Sequence, residues 1–202
     1  MRILVNKKAF TLIETVIAVT FTVILMTVIG SFYNTTRVVN ASGTAGQMLQ
    51  DGSNLILSKI IEGKTESIVI NNNVVPTIYR LSEAVQYCIG TGAWPCAGSA
   101  SIAELHFKGT DGVECWYKLN STSTQLIYCY PTSITNGVAT SYTNEVIYTA
   151  PINATLTLRF WIPTVANYPA SVVGVDAALT QNVLGRAVAG SSSTIVHLRN
   201  HP

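Results

Sequence analysis

The chain has 202 residues, of which 48% are hydrophobic and only 11% are charged, which suits one domain with an appendage and a buried core. The formal net charge is +2, and three of the positive side chains, Arg2, Lys7 and Lys8, precede a long apolar block. No Lys/Arg cluster follows them, so the sequence predicts no nucleic-acid partner. Binding of DNA through a local basic patch is the less favoured alternative.

The apolar block FTLIETVIAVTFTVILMTVIGSF occupies residues 10–32 and contains one charge, Glu14. A helix that spans a bilayer needs about 20 apolar residues. Lys7 and Lys8 lie just before the block and only Arg37 lies just after it, which places the N-terminus in the cytoplasm. We therefore predict a single transmembrane helix at 10–33, preceded by a short basic segment at 1–9, with the rest of the chain outside.

Helical character is predicted to continue over 34–63. Apolar residues recur there at helical intervals, namely at Met48, Leu49, Leu55, Ile56, Ile60 and Ile61. Gly43, Gly46 and Gly52 each weaken a helix by up to about 1 kcal/mol relative to alanine. We expect a helix that frays or bends at these glycines and ends near Gly63.

The region 64–202 is predicted to be a β-rich outer domain, because short runs of strand-forming residues are bounded there by Gly, Asn, Ser and Pro. The candidate strands are 67–70, 102–108, 113–119, 125–130, 145–149, 154–162 and 194–199. Asp111-Gly112 predicts a hairpin turn between the second and the third. A short helix is predicted at 79–87, and an ordered insertion that could include a helical turn at 172–189.

The four cysteines, Cys88, Cys96, Cys115 and Cys129, all lie beyond the membrane block. They form no C-x-x-C pair, which disfavours a zinc site, and an even count in an exported region favours disulfides over buried free thiols. Among the three possible connectivities we favour Cys88–Cys96 with Cys115–Cys129. The first pair encloses a loop with enough glycine to close.

The second pair depends on strand register. If Leu119 pairs with Gln125 around the loop 120–124, Cys115 lies opposite Cys129 and the two are close enough to form a disulfide. Sliding the register by one residue places Trp116 opposite Cys129 and turns the two thiols to opposite faces of the sheet.

The sequence contains no recognisable catalytic constellation, so we expect a non-enzymatic protein without a cofactor or a metal. Neither G-x-S-x-G nor H-E-x-x-H occurs. His106 and His197 lie on predicted strands, where a surface or half-buried position is usual, and His201 lies near the end of the sequence. Asp111 and Glu114 flank the predicted turn and could bind calcium, but a solvated hairpin is the favoured interpretation.

The segment Lys7-Lys8-Ala9-Phe10-Thr11-Leu12-Ile13-Glu14 resembles the class III leader of type IV pilins, pseudopilins and related filament subunits. In that family a basic leader ends in a small residue, most often glycine and here Ala9. Phe-Thr-Leu-Ile-Glu then opens an unbroken apolar helix. The resemblance implies that a prepilin peptidase cuts between Ala9 and Phe10 on the cytoplasmic side of the membrane and N-methylates Phe10.

Glu14 has two interpretations. A carboxylate costs about 3 kcal/mol at the centre of a membrane and less near an end, and Glu14 lies so close to the cytoplasmic interface that it could simply reach the headgroups. The resemblance implies instead that Glu14 pairs with the amine of Phe10 on a neighbouring subunit and sets the axial register. We favour the assembly role because Glu14 completes the Phe-Thr-Leu-Ile-Glu match.

The resemblance also implies an α+β architecture, the pilin fold, in which a long N-terminal helix is transmembrane in its first half and packs on an antiparallel β-sheet in its second half. The closing segment 194–200 resembles the last strand of larger minor pilins and pseudopilins, which often ends in Arg-Asn. We therefore expect a minor subunit of a bacterial type IV pilus or type II secretion pseudopilus.

The implied partners are other pilin or pseudopilin subunits, the prepilin peptidase and an inner-membrane assembly platform. The implied location is the inner membrane before assembly, and the periplasm or the cell surface afterwards. Two alternatives stay open. The first is a secretory signal cut before Ser31, which Glu14 within the apolar run disfavours. The second is a membrane-anchored or secreted binding protein that does not polymerise, which has no need of a prepilin-type leader.

Overall fold

The computed structural model describes residues 11–91, 97–98, 104–163 and 172–199. One long helix, α1 (Leu12–Glu62), precedes a β-rich region. The strands are β1 (Lys64–Ile70), β2 (Asn73–Tyr79), β3 (Gln86–Thr91), β4 (Ala97–Gly98), β5 (Glu104–Lys108), β6 (Glu114–Leu119), β7 (Gln125–Thr135), β8 (Val138–Thr149), β9 (Ala154–Trp161), β10 (Val172–Val183) and β11 (Arg186–His197). A short 3-10 helix, Leu81–Glu83, lies between β2 and β3.

Helix α1 has 51 residues, which makes it about 77 Å long at 1.5 Å per residue. It runs without interruption through Gly43, Gly46 and Gly52, where the sequence predicted fraying or a bend. It ends at Glu62, and Gly63 follows with φ 64°, a backbone conformation that glycine adopts without strain. The predicted end near Gly63 is confirmed.

The second half of α1 packs into the β-rich region. Leu49, Ile56, Leu57 and Ile60 are buried, and the helix contacts β10 and β11 most extensively. Gly52 allows this approach, because a Cβ atom there would lie 2.4 Å from Tyr148 Oη and 2.7 Å from Leu179 Cδ1. The packing of this face stabilises the helix beyond what its glycine-containing sequence provides.

Eight strands form a mixed sheet in the described part of the chain, in the order β2-β1-β7-β6-β5-β3-β4, with β8 also paired to β7. β7 is long enough to pair with β6 near its start, with β1 near its end and with β8 along its whole length. The β1–β7 pair is parallel. The sequence had predicted an antiparallel sheet, and this one pair makes it mixed.

A second sheet has three antiparallel strands in the order β11-β10-β9. The segment 172–189 is ordered, as predicted, but the possible helical turn is absent from it, because β10 and β11 form a long hairpin around Leu184-Gly185. Both turn residues have positive φ, 50° and 81°, as in the two-residue turns that match the twist of paired strands.

All seven predicted strands overlap observed ones, and the hairpin at Asp111-Gly112 is confirmed as the turn between β5 and β6. The predicted helix at 79–87 is wrong in extent, because only Leu81–Glu83 is helical and β3 begins at Gln86. β2 escaped prediction because it contains Pro76, which an edge strand tolerates. Asn71-Asn72, both with positive φ, is the turn signal that could have revealed it.

One hydrophobic core joins the helix to both sheets. Ile56 and Ile60 of α1 belong to the same buried cluster as Leu105, Phe107 and Tyr117 of the larger sheet and Leu156, Phe160, Val175 and Leu179 of the smaller one. The chain is therefore an α+β protein in which one long N-terminal helix, apolar at its start, packs against mixed and antiparallel sheets.

Candidate membrane and assembly helix

The first half of α1 has no protein cover. Every residue from Thr11 to Arg37 is exposed, including Leu12 at 83% and Phe32 at 73%. The best window of 18 residues in this helix has a mean hydropathy of 2.4, and none of it is buried. By length and composition α1 could cross a membrane, so the predicted span is compatible with the structure.

Six hydroxyl groups along this exposed segment are satisfied within the helix. Each donates to a carbonyl three or four residues earlier at 2.7–3.2 Å, and the donors are Thr15, Thr20, Thr22, Thr27, Ser31 and Thr35. A polar group in lipid must find its partner inside the protein, and back-bonding of this kind provides one. The hydroxyls therefore add little cost to an apolar environment.

Glu14 forms a capping box with Thr11 at the start of α1, which was not predicted from the sequence. Thr11 caps the helix, and its Oγ1 accepts a hydrogen bond from the Glu14 backbone N–H at 3.3 Å. In return, Glu14 Oε2 accepts bonds from the backbone N–H and the Oγ1 hydroxyl of Thr11, both at 2.9 Å. This is a capping box, and the spacing Thr11-x-x-Glu14 was the signal that could have found it.

The capping box changes the interpretation of Glu14. Both bonds from Thr11 end on Oε2, so Oε1 is the oxygen that a second partner could contact. The carboxylate is also placed at the helix N-terminus, where the macrodipole favours a negative charge. The predicted cleavage and methylation residues, Ala9 and Phe10, lie outside the described residues.

The predicted disulfide Cys115–Cys129 is wrong. Both cysteines are free and buried, because β6 and β7 pair Trp116 with Cys129 and Leu119 with Leu126. Cys115 consequently points to one face of the sheet and Cys129 to the other. This is the register one residue away from the one that a disulfide requires.

The loop between β6 and β7 explains this register. The backbone N–H of Asn120 donates to the carbonyl of Gln125 at 3.0 Å, so these two residues close the loop. Asn120 Oδ1 also accepts bonds from the backbone N–H groups of Thr124 and Gln125 at 2.8 and 3.0 Å. An asparagine that caps a loop in this way fixes its length, and the loop length fixes the pairing.

The two remaining cysteines are Cys88 and Cys96. Cys88 is disulfide-bonded, as the predicted pair Cys88–Cys96 requires, while Cys96 lies outside the described residues.

Burial raises the pKa of the Cys129 thiol to about 11 and raises that of Cys115 as well. The Cys129 thiol donates to Asn144 Oδ1 at 2.7 Å. Two neutral thiols of this kind are poor nucleophiles.

His106 is buried, which corrects the predicted surface or half-buried position; its exposed fraction is 3%. Its Nδ1 lies 2.5 Å from Glu114 Oε1, and its Nε2 lies 3.0 Å from Glu104 Oε1. The ring also stacks on Trp116, with centroids 5.3 Å apart. Burial is tolerated because both ring nitrogens have carboxylate partners, and the hairpin register that starts at Asp111-Gly112 could have revealed the His106–Trp116 pair.

His197 is exposed on β11, in agreement with the prediction, and His201 lies outside the described residues.

Asp111 and Glu114, the calcium candidates, have protein partners on different sides of their hairpin. Asp111 accepts hydrogen bonds from Tyr79 Oη at 2.7 Å and from the Val113 backbone at 3.0 Å. Within the residues that the structure describes, no cluster of His, Cys, Asp and Glu could hold a metal ion.

No protein-family model, no curated protein and no solved structure matches this chain.

Proposed function

We propose that this chain is a non-enzymatic filament subunit of the type IV pilin class. In this proposal a prepilin peptidase cuts it between Ala9 and Phe10, and it assembles through α1. The observation that carries the proposal is the contrast between the two halves of one continuous helix. The first half is uncovered, with Glu14 as its only charge before Arg37, and the second half is buried against β10 and β11.

The proposed cleavage site explains why the mature protein would keep an uncovered apolar segment. A secretory signal is cut after its apolar segment, which is then discarded. A cut before Phe10 keeps the segment, first as a membrane anchor and then as the packing element of a fibre. Such a helix can leave lipid only if it meets other apolar helices, and further copies arranged head to tail in an open helical assembly provide them.

Within this class we propose a minor subunit of a type IV pilus or of a type II secretion pseudopilus. The size of the outer region and its cysteine-bearing part support a minor subunit over an abundant shaft subunit. The partners would be other pilin-like subunits, the prepilin peptidase and the inner-membrane assembly platform. The protein would stay in the inner membrane until it enters the fibre.

Mass spectrometry of the mature N-terminus tests the cleavage step. A protein isolated from its host should begin with N-methylated Phe10. A protein that begins at Ser31 would support the secretory signal instead. An unprocessed protein that keeps its leader would support a plain membrane anchor.

Shearing of filaments from the cell surface, or from cells that overproduce a pseudopilus, tests incorporation. The protein should be found in the purified fibres at low abundance. If it stays entirely with the membranes under conditions in which fibres form, the alternative of an anchored binding protein is preferred.

A further inference from the structure

A groove with a volume of about 640 Å³ lies beside α1. Ala41, Ala45 and Met48 form its helical wall, and Ile152 and Val183 form part of the opposite wall. None of the residues that line it is charged. Met48 is 62% exposed and Ile152 is 85% exposed, so large apolar side chains at this groove face solvent.

The position of the groove along α1 argues against lipid as its occupant. About 20 residues after Glu14 fill a hydrocarbon core of roughly 30 Å, which takes the helix to the region of Asn34. The groove begins about 9 Å further on, at Asn40, and extends to Leu49, about 22 Å beyond that point. Acyl chains therefore end before the groove begins, and an apolar surface of this kind is covered by protein.

The chain itself contains a segment whose chemistry matches the groove. Residues 15–36 of α1 are uncharged, predominantly apolar and uncovered. Packing this segment in the uncharged groove would desolvate no charge on either side, which removes the largest cost of such a contact. Ala41 and Ala45, one helical turn apart, leave room for the backbone of a second helix to approach closely.

We propose that this groove receives residues 15–36 of α1 from a second copy of this chain. The inference rests on the proposed assembly through α1 and adds the surface that accepts the neighbouring helix. The centre of the segment lies about 28 Å along the helix from the centre of the groove. Two copies embedded at the same depth in one bilayer cannot make this contact, so it belongs to copies staggered along a fibre axis.

Site-specific photo-crosslinking of the full-length chain tests the contact. Benzoylphenylalanine replaces Ile152, and the purified protein is irradiated in detergent, where two helices are free to shift axially. The matched control carries the probe at Val138, which is 65% exposed but lies at the far end of β8, a strand about 36 Å long. Mixing isotope-labelled and unlabelled chains identifies the adducts between copies.

The sequence makes the adduct easy to assign. No Lys or Arg occurs between Lys8 and Arg37, so trypsin releases the whole exposed segment in one peptide, and residues 138 and 152 share another, 119–159. We expect position 152 of one copy to link to the peptide that ends at Arg37 of another, and position 138 not to do so. Adducts confined to one chain, adducts to the β-rich region, or equal yields at both positions would each overturn the proposal.

A charge in the groove gives a second readout. Ile152→Asp should lower the yield of dimer crosslinked from a probe at Met48 about tenfold or more, because the contact would then bury a carboxylate. Val138→Asp should leave it unchanged, and an unchanged yield in Ile152→Asp would contradict the groove. The two proposals can be contradicted independently. A crosslink in detergent from a protein that never enters fibres would support the groove contact but contradict the filament function. Incorporation into fibres without the crosslink would support the filament function but contradict the groove contact.

Discussion

The side-chain amide of Gln50 on α1 reproduces a strand-to-strand hydrogen-bond pair with Ser191 on β11. Gln50 Oε1 accepts from the backbone N–H of Ser191 at 3.2 Å, and Gln50 Nε2 donates to the Ser191 carbonyl at 3.0 Å. β11 is an edge strand of its sheet, and edge backbone groups are a template for pairing with other chains. The helix therefore occupies part of this edge with a single side chain.

Replacing Gln50 should expose this edge and destabilise the fold. Gln50→Ala removes both bonds to Ser191 and a third to Ser192 Oγ at 2.9 Å, so the free energy of unfolding should fall by about 1–2 kcal/mol. Thermal unfolding followed by near-ultraviolet circular dichroism measures the change. Gln47→Ala, one turn earlier on an exposed position, is the control, and an equal effect in both variants would contradict the edge contact.

Two glycines of α1 should respond to alanine in opposite directions. Gly52→Ala places a methyl group against Tyr148 and Leu179, and overpacking of this kind costs about 1–3 kcal/mol. Gly43→Ala meets nothing within 4 Å and should add up to about 1 kcal/mol of stability through helix propensity. Urea titration of the two variants compares them, and a stabilising Gly52→Ala would show that the helix does not approach β8 and β10 as described.

His106 should be important for the stability of the β5–β6 hairpin. His106→Gln leaves Glu104 and Glu114 without the ring nitrogens that they contact, and we expect a loss of about 2–3 kcal/mol in the free energy of unfolding, because polar groups that are largely shielded from water lose their partners. His197→Gln, on the exposed end of β11, should change it by less than about 0.5 kcal/mol. Chemical denaturation of both variants is the measurement, and similar values would remove any special role for the buried histidine.

Thiol counting distinguishes the two possible states of Cys115 and Cys129. Unfolding without a reductant should expose two titratable thiols, and a reductant should raise the number to four. In the folded protein alkylation should be slow below about pH 9 and should accelerate as the pH approaches 11, because the pKa of Cys129 is raised to about 11 by burial. A count of zero thiols without a reductant would restore the disulfide that the structure excludes.

The same raised pKa predicts a loss of stability at high pH. A thiol that ionises less readily in the folded state than in the unfolded state stabilises the fold below the unfolded pKa, about 8.5. This contribution is lost as the pH rises through the folded value of about 11. Cys129→Ala should make the unfolding midpoint less sensitive to pH between 9 and 11.

Glu14 can be separated from its capping role by a paired substitution. Glu14→Ala should leave the precursor in the membrane but lower its incorporation into filaments, whereas Thr11→Ala removes the other half of the capping box, the bonds of Thr11 Oγ1, and keeps the charge. The loss of a cap costs about 1 kcal/mol locally. The amount of each variant in sheared fibres is compared; equal defects would assign Glu14 to helix capping alone, and normal incorporation of Glu14→Ala would contradict the register role.

The local features of this protein could be predicted from neighbouring residues alone. The uncharged run after Glu14 fixed where an exposed helix lies, and Gly63 fixed where that helix ends, because hydropathy and backbone conformation depend on neighbouring residues. The Asp111-Gly112 turn likewise required no knowledge of distant parts of the chain. Seven strands could be located for the same reason, although their full lengths could not.

The pairing of strands and of distant side chains depends on long-range contacts that local patterns do not reveal. One residue of register separates a Cys115–Cys129 disulfide from two free thiols, since successive side chains of a strand point to opposite faces, and the side chain of Asn120 selected the register. His106 became buried because Glu104 on its own strand and Glu114 across the hairpin both contact its ring. The long β10–β11 hairpin formed where local patterns were weak, because Gly52 lets α1 pack against its sheet and Gln50 bonds to its edge.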